Sequence, residues 1–309
     1  MLRSGLLVLI AAVLVTAPAV ADTLYVDSFL NGNNIVTYDT SAVTPTPTTF
    51  ATGLDHPNGM AFDASGNLYV VNAGLSGTIV KFTPGGASSV FASVGTNNFN
   101  GLAFDSAGNL YAASNAMLNE VLKFTPSAAG SVFATTGLNL PSGLALDSAG
   151  NLYVSNPTSN TIERFTPGGV GSVFASTGLS GPLGLAFDSA GNLYVSNVSN
   201  NTIEKFTPGG VGSVFASTGL SSPLGLAFDS AGNLYVANTG NNTIEKFTPG
   251  GVGSLFATTP ATSTPEFLAI RFASVPEPSS LVQGCLALAA LGLVGLARWY
   301  RHSRRCCGV

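Results

Sequence analysis

Short alternating runs of apolar and polar residues, interrupted by Gly, Pro, Asp and Asn, occupy the chain from about residue 24 to about residue 272. In one representative stretch the runs are 184–187, 193–196, 202–207 and 213–217. The first ends in Asp188-Ser189-Ala190-Gly191-Asn192, the second in an asparagine-rich segment from Asn197 to Asn201, and the third in Pro208-Gly209-Gly210. Proline presets φ at one turn position and glycine accepts positive φ at the next. A period of two, with turn signals roughly every 8–12 residues, predicts antiparallel strands. No stretch of useful length keeps apolar residues at a spacing of about 3.6, which excludes a helical solenoid.

The four-run pattern recurs. Asp63, Asp105, Asp147, Asp188 and Asp229 hold the same place in successive copies, 42, 42, 41 and 41 residues apart. Four strands in a period of this length predict one propeller blade per copy. The two ends supply a sixth blade. Leu24-Tyr25-Val26 lies 44 residues before Leu68-Tyr69-Val70 and opens a segment that has second, third and fourth strands but no first. Pro265-Glu266-Phe267-Leu268-Ala269-Ile270 lies 42 residues after Pro223 to Phe228 and has a first strand only. Pairing 267–270 with 24–26 closes the ring and removes two exposed sheet edges. The expected fold is all-β: a six-bladed propeller of four-stranded antiparallel blades over residues 22–275, closed by a mixed blade, with one helix in the leader and one C-terminal apolar helix.

The string PLGLAFDSAGNLYVANTGNNTIEKF, residues 223–247, resembles an NHL repeat, and the likeness runs over roughly residues 24–272. The aspartate usual in that family after the tyrosine strand is mostly asparagine here: Asn72, Asn156, Asn197 and Asn238. The arginine often found after the Asn-Asn pair is Thr202 and Thr243. The resemblance implies a propeller and leaves function open.

The ends carry addresses. Arg3, the apolar run from Gly5 to Val15 and Ala19-Val20-Ala21 form a secretory signal peptide, residues 1–21, with cleavage expected after Ala21. At the other end Val275-Pro276-Glu277-Pro278 precedes an apolar stretch from Leu281 to Ala297, followed by Arg298, Arg301, His302, Arg304 and Arg305. By physics alone this is a short membrane span with a positive cytoplasmic end. The order of its three parts, over residues 276–309, resembles a PEP-CTERM sorting signal. That likeness implies a Gram-negative-type bacterium making exopolysaccharide, transient membrane insertion through Leu281–Ala297, and cutting near Pro276 by an exosortase-type sorting protease. A permanent anchor is the other reading.

Charge and cysteines narrow the field. With Arg3, Arg298, Arg301, Arg304, Arg305 and Glu277 set aside, the chain's 11 basic and 15 acidic residues leave 6 and 14 in residues 22–275, a net charge of −8. Nucleic acid needs a basic face and is excluded as a partner. Cys285, Cys306 and Cys307 all lie in or beyond the apolar stretch, so the exported domain relies on its core rather than on disulfides. Each repeat brings phenylalanines such as Phe187, Phe206 and Phe215, each worth about 1.5–3 kcal/mol when buried.

Catalytic constellations are scarce. His56 is the only histidine of residues 22–275, which leaves neither a histidine cluster for zinc nor a Ser-His-Asp set. The repeated aspartate is best explained by its turn, where a carboxylate accepts backbone N–H bonds. Each also has a cation 17 or 18 residues on, Lys81, Lys123, Arg164, Lys205 and Lys246, which predicts ion pairs within blades. In the closing blade the aspartate position is Arg271 and the lysine position Thr37; the lost turn accounts for the first change and not for the second.

Two sets of residues are candidates for binding. The asparagine-rich loops after the second strands, with Asn72, Asn156, Asn197 and Asn238, offer an uncharged surface for carbohydrate; the plainer alternative is that asparagine suits tight turns. The residue before the first-strand glycine, blade by blade, is Asn58, Asn100, Ser142, Leu183 and Leu224, with Glu266 at the same place in the closing blade. Glu266, Asn58, Asn100 and Ser142 are consecutive round the ring. With His56 nearby they are the candidate channel-mouth site, and Glu266, Asn58 and Asn100 the candidate ligands of a divalent cation, Ca²⁺ or Zn²⁺. His56-Pro57-Asn58-Gly59-Met60-Ala61 also resembles a segment of the gluconolactonase family, which implies a cation-dependent lactone hydrolase as the alternative function. The first expectation is an exported, non-catalytic propeller of the cell surface or exopolysaccharide matrix, with polysaccharide or another envelope protein as partner.

Overall fold

The computed structural model describes residues 21–28, 33–74, 77–95, 99–114, 118–260 and 263–273. Among these, 24 strands form six four-stranded antiparallel sheets. The fourth blade shows the plan: Pro182–Phe187, Leu193–Asn197, Thr202–Phe206 and Gly212–Ala216 pair in chain order. The first, second, third and fifth blades repeat it from Pro57, Phe99, Leu144 and Pro223 onwards. Residues 21–272 make one compact unit.

The sixth sheet takes strands from both ends, as expected. Leu268–Arg271 pairs antiparallel with Thr23–Ser28, which continues through Asn34–Asp39 to Thr48–Ala51. Leu24 faces Ile270 and Val26 faces Leu268. This is one residue later than the 267–270 expected, because the Phe267 amide is taken by a side chain instead of the ladder. The expected leader and C-terminal helices, the cleavage site at Pro276 and the apolar stretch from Leu281 to Ala297 lie outside the described residues. Among the described residues no helix is long and apolar enough to cross a membrane.

The core follows from the period of two. In each second strand the Leu-Tyr-Val triplet, Leu-Tyr-Ala in the second blade, is buried on both faces, as in Leu193, Tyr194 and Val195 at 0%, 3% and 0% exposure, so it contacts both neighbouring blades. Six apolar clusters result, each shared by two adjacent blades. The tyrosine is the pin. The Tyr194 ring meets Phe215 of its own blade and Phe228 of the next, edge to face at 4.9 Å in both cases. Such pairs add about 0.5–1.5 kcal/mol beyond burial. Tyr25 repeats the contact in the closing blade, reaching Phe50 and then Phe62 of the first.

Candidate functional site

A β-bulge in the first strand of four blades shapes the channel mouth. The ladder shifts register between Pro57 and Met60, Phe99 and Leu102, Pro182 and Leu185, and Pro223 and Leu226. A bulge turns its freed residues away from the ladder, and these meet the next blade. A Cβ on Gly59 would overlap the Asn100 carbonyl oxygen, and one on Gly184 that of Leu224. Close backbone approach therefore requires the glycine. In the closing blade Phe267 holds the glycine position and contributes to a small axial cavity of about 60 Å³.

Three of the expected ring residues come together. Asn58 Nδ2 donates to Asn100 Oδ1 at 3.1 Å, and Asn100 Nδ2 donates to Ser142 Oγ at 3.3 Å. The Gly59 amide donates to Asn58 Oδ1 at 3.0 Å. This relay ties three blades across the mouth. Glu266 stands apart from it, since no hydrogen bond joins it to Asn58 among the described residues; burial pushes its carboxyl up to about 7. His56 lies outside the relay too. Its backbone is left-handed at φ 54°, and its exposed ring holds Nδ1 at 2.8 Å from Asp55 Oδ1.

Glu266 has a neighbour that was not among the candidates. Asp27 is fully buried, and its Oδ1 accepts the Glu266 and Phe267 amides at 3.0 and 2.7 Å. Its Oδ2 has no hydrogen-bond partner. Desolvation, and then the charge of Glu266, raise the Asp27 carboxyl well above the ordinary aspartate value. The signal was present in the sequence. At the position three after the second-strand leucine the other blades carry Val71, Ala113, Ser155, Ser196 and Ala237, and only this one carries an acid.

The asparagines after the second strands point inward. Asn156, Asn197 and Asn238 are 0% exposed. Their Oδ1 atoms accept the amides of Asn139, Ser180 and Ser221, and their Nδ2 atoms donate to the carbonyls of Gly137, Gly178 and Gly219. Asn72 accepts the Asp55 amide in the same way at 2.6 Å. Each clamps the segment arriving from the preceding blade. A second set, Asn160 and Asn201, both at φ 54°, accepts the Gly181 and Ser222 amides.

On the opposite face the repeated aspartates make their turns. Asp188 Oδ1 accepts the Ala190 and Asn192 amides, and Oδ2 accepts Asn192 Nδ2. The expected ion pairs form in four blades: Lys81–Asp63 at 4.0 Å, Lys123–Asp105 at 3.6 Å, Lys205–Asp188 at 3.6 Å and Lys246–Asp229 at 3.7 Å. Arg164 and Asp147 form none. The same lysines lie 5.0–5.4 Å from the tyrosine ring centroids of their blades. In the closing blade Arg271 stands 5.6 Å over Tyr25, which accounts for Thr37: the cation reaches the ring from the first strand instead of the third.

Comparison with known proteins agrees with this geometry. Residues 220–247 match the NHL repeat model, and residues 274–305 match the PEP-CTERM protein-sorting motif. The chain carries an NHL repeat and a PEP-CTERM sorting motif. The motif implies processing by an exosortase. No curated protein sequence matches the chain. Among solved structures, a chain of the nidogen/laminin complex aligns with a TM-score of 0.71 at 19% identity, covering 81% of this NHL-repeat chain and 98% of its own. The gluconolactonase XC5397 from Xanthomonas campestris gives 0.62 at 19% identity, with 82% and 91% covered. Virginiamycin B lyase from Staphylococcus aureus gives 0.58 at 19%, with 68% and 73% covered. At these identities the likeness establishes the fold. Among the described residues no three His, Cys, Asp or Glu side chains gather as a metal-binding group.

Proposed function

We propose that this is an exported propeller that binds polysaccharide or another envelope protein at the cell surface or in the extracellular matrix, without catalysing a reaction. The observation that carries the reading is the sorting motif at residues 274–305 following directly on a closed propeller. A signal peptide over residues 1–21 and an exosortase-type cut near Pro276 would deliver residues 22–275 outside the cell. The inward asparagine clamps and the Asn58–Asn100–Ser142 relay support a rigid display scaffold, because these polar groups are spent on joining blades. Two measurements test the reading. Intact mass of the exported protein should show a chain ending near Pro276, and a full-length chain including Arg305 from a host with the sorting protease would refute the cut. Pull-down from matrix extract should recover glycan or protein, and recovery of neither would refute the binding role.

A second reading, a cation-dependent lactone hydrolase, is favoured by one observation: the fully buried Asp27, with one unpartnered oxygen, lies near the half-buried Glu266. The Glu266 carboxylate and the Asn58 amide oxygen, which already accepts the Gly59 amide, would supply only part of the shell of a hard cation, which for Ca²⁺ takes about 6–8 oxygens. A bound Ca²⁺ or Zn²⁺ would polarise a lactone carbonyl. Glu266 and Asn58 would hold the ion, and the buried Asp27 would keep the Glu266 backbone in place. Ca²⁺ or Zn²⁺ should then raise the Tm of the wild type and not of Glu266→Ala, and lactones should turn over with Ca²⁺, Zn²⁺ or Mn²⁺. Equal Tm responses and no turnover would discard it.

A further inference from the structure

The third blade breaks the repeat at its cation. Lys81, Lys123, Lys205 and Lys246 are partly covered and sit within 4.0 Å of their own aspartates. Arg164, at the same position, is exposed and makes no such pair with Asp147. Asp147 Oδ1 accepts the Ala149 and Asn151 amides, and Oδ2 takes the Asn151 side-chain amide at 2.8 Å and the Tyr153 hydroxyl at 3.4 Å, the hydroxyl that Arg164 also reaches. Beside Arg164 a cavity of about 490 Å³ opens between the third and fourth blades, on the face of the aspartate turns. That volume falls within the range of about 300–1,000 Å³ in which small ligands are buried.

The lining selects a ligand class. Phe174 and Phe187, each partly exposed, supply apolar wall, and Asp147, Arg164, Asp188 and Ser189 supply polar groups. Asp188 is matched by Lys205 at 3.6 Å. The Arg164 guanidinium, which reaches the Tyr153 hydroxyl, and the Asp147 carboxylate are the other charges, so the wall is neutral overall. A polyanion would meet Asp147, and a polycation would meet Arg164. Neighbouring hydroxyls satisfy both signs, because one donates to a carboxylate while the next accepts from a guanidinium. A ring with polar edges and C–H faces also suits the phenylalanines.

We propose that this groove binds a neutral sugar residue of a polysaccharide, held between Asp147 and Arg164 against Phe174 and Phe187. The proposal rests on the binding role given above and names its ligand class and place. Calorimetric titration of the exported protein with neutral glucose, galactose and mannose oligosaccharides, and with a uronate oligosaccharide, tests it. Arg164→Lys installs the cation of the other blades without removing charge, and Lys246→Met alters the matching position of the fifth blade. At least one neutral oligosaccharide should bind the wild type. Arg164→Lys should weaken it at least ~10-fold, as expected for a lost charge-assisted hydrogen bond, with Tm unchanged, and Lys246→Met should leave affinity as it was. Equal affinity in wild type and Arg164→Lys would remove the sugar from this groove while leaving the binding role standing. Binding of the uronate alone would overturn the neutral-ligand assignment. Binding of no glycan would overturn the proposal, and an envelope protein recovered by pull-down would then show that the broader role survives.

Discussion

In the fourth blade Ser196 accepts the Gly184 amide at 2.8 Å and donates to the Leu224 carbonyl of the next blade at 2.6 Å. Ser155 does the same in the third blade, to Gly143 and Leu183. The closing blade has Asp27 at that place. One carboxylate oxygen accepts the amides of Glu266 and Phe267, and the other has no donor to meet. A hydroxyl both accepts and donates, whereas an ionised carboxylate only accepts. The same blade replaces the ring glycine by Phe267 and takes its ring cation from Arg271. A blade built from two chain ends thus reaches the common packing with other side chains, and it places a fully buried acid, Asp27, where the third and fourth blades have a serine.

The largest test of this comparison removes the first strand of the closing blade. Deleting residues 265–272 strips Leu24–Val26 of its partner and uncovers Leu268, Ala269 and Ile270's neighbours. At about 1.5–3 kcal/mol per large buried side chain, and about 2–4 °C per kcal/mol for a domain of this size, Tm should fall by at least ~10 °C or folding should fail. An unchanged melting curve would mean that the ring does not depend on its seam.

A sharper test gives the closing blade the residue of the third and fourth. Asp27→Ser removes a buried, half-satisfied carboxyl, and relief of an unpaired buried group is worth about 1–3 kcal/mol. Tm at pH 7 should rise, and a fall would show that the carboxylate makes a favourable contact there. The pH dependence gives an independent reading. Folding raises both carboxyls, so the folded state holds protons that the unfolded chain has released. The stability this contributes is complete below the unfolded values and is lost as pH rises; for Glu266 the loss runs from its ordinary 4.5 to about 7. Glu266→Gln should flatten Tm against pH in that window, and an unaltered profile would exclude Glu266 as its source.

The smallest effect is expected at the cation. Arg271→Ala removes the guanidinium over Tyr25, a contact worth about 0.5–1 kcal/mol at a partly exposed site. Thr37→Lys in that background should restore part of the loss by supplying the cation from the third strand, as in the other blades. Failure to restore any would mean that the ring position, rather than the ring cation, matters at this seam.

The sequence by itself determined the six blades, the antiparallel order within them, the seam between the chain ends and the within-blade ion pairs in four of five cases. These are properties of spacing: period two decides which side chains face inward, and a fixed repeat decides which strands must pair. The glycine position at the channel mouth was legible for the same reason, and with it the meeting of Asn58, Asn100 and Ser142. Tertiary structure alone decided the rest. Asn156, Asn197 and Asn238 turn inward because unpaired amides of the linking segments lie within their reach, and a buried N–H must find an acceptor. Asp27 joins Glu266 across 239 residues because the seam brings both to one place. Arg164 is released from Asp147 although its spacing matches the lysines, since the end point of a long side chain depends on the packing around it and not on its register.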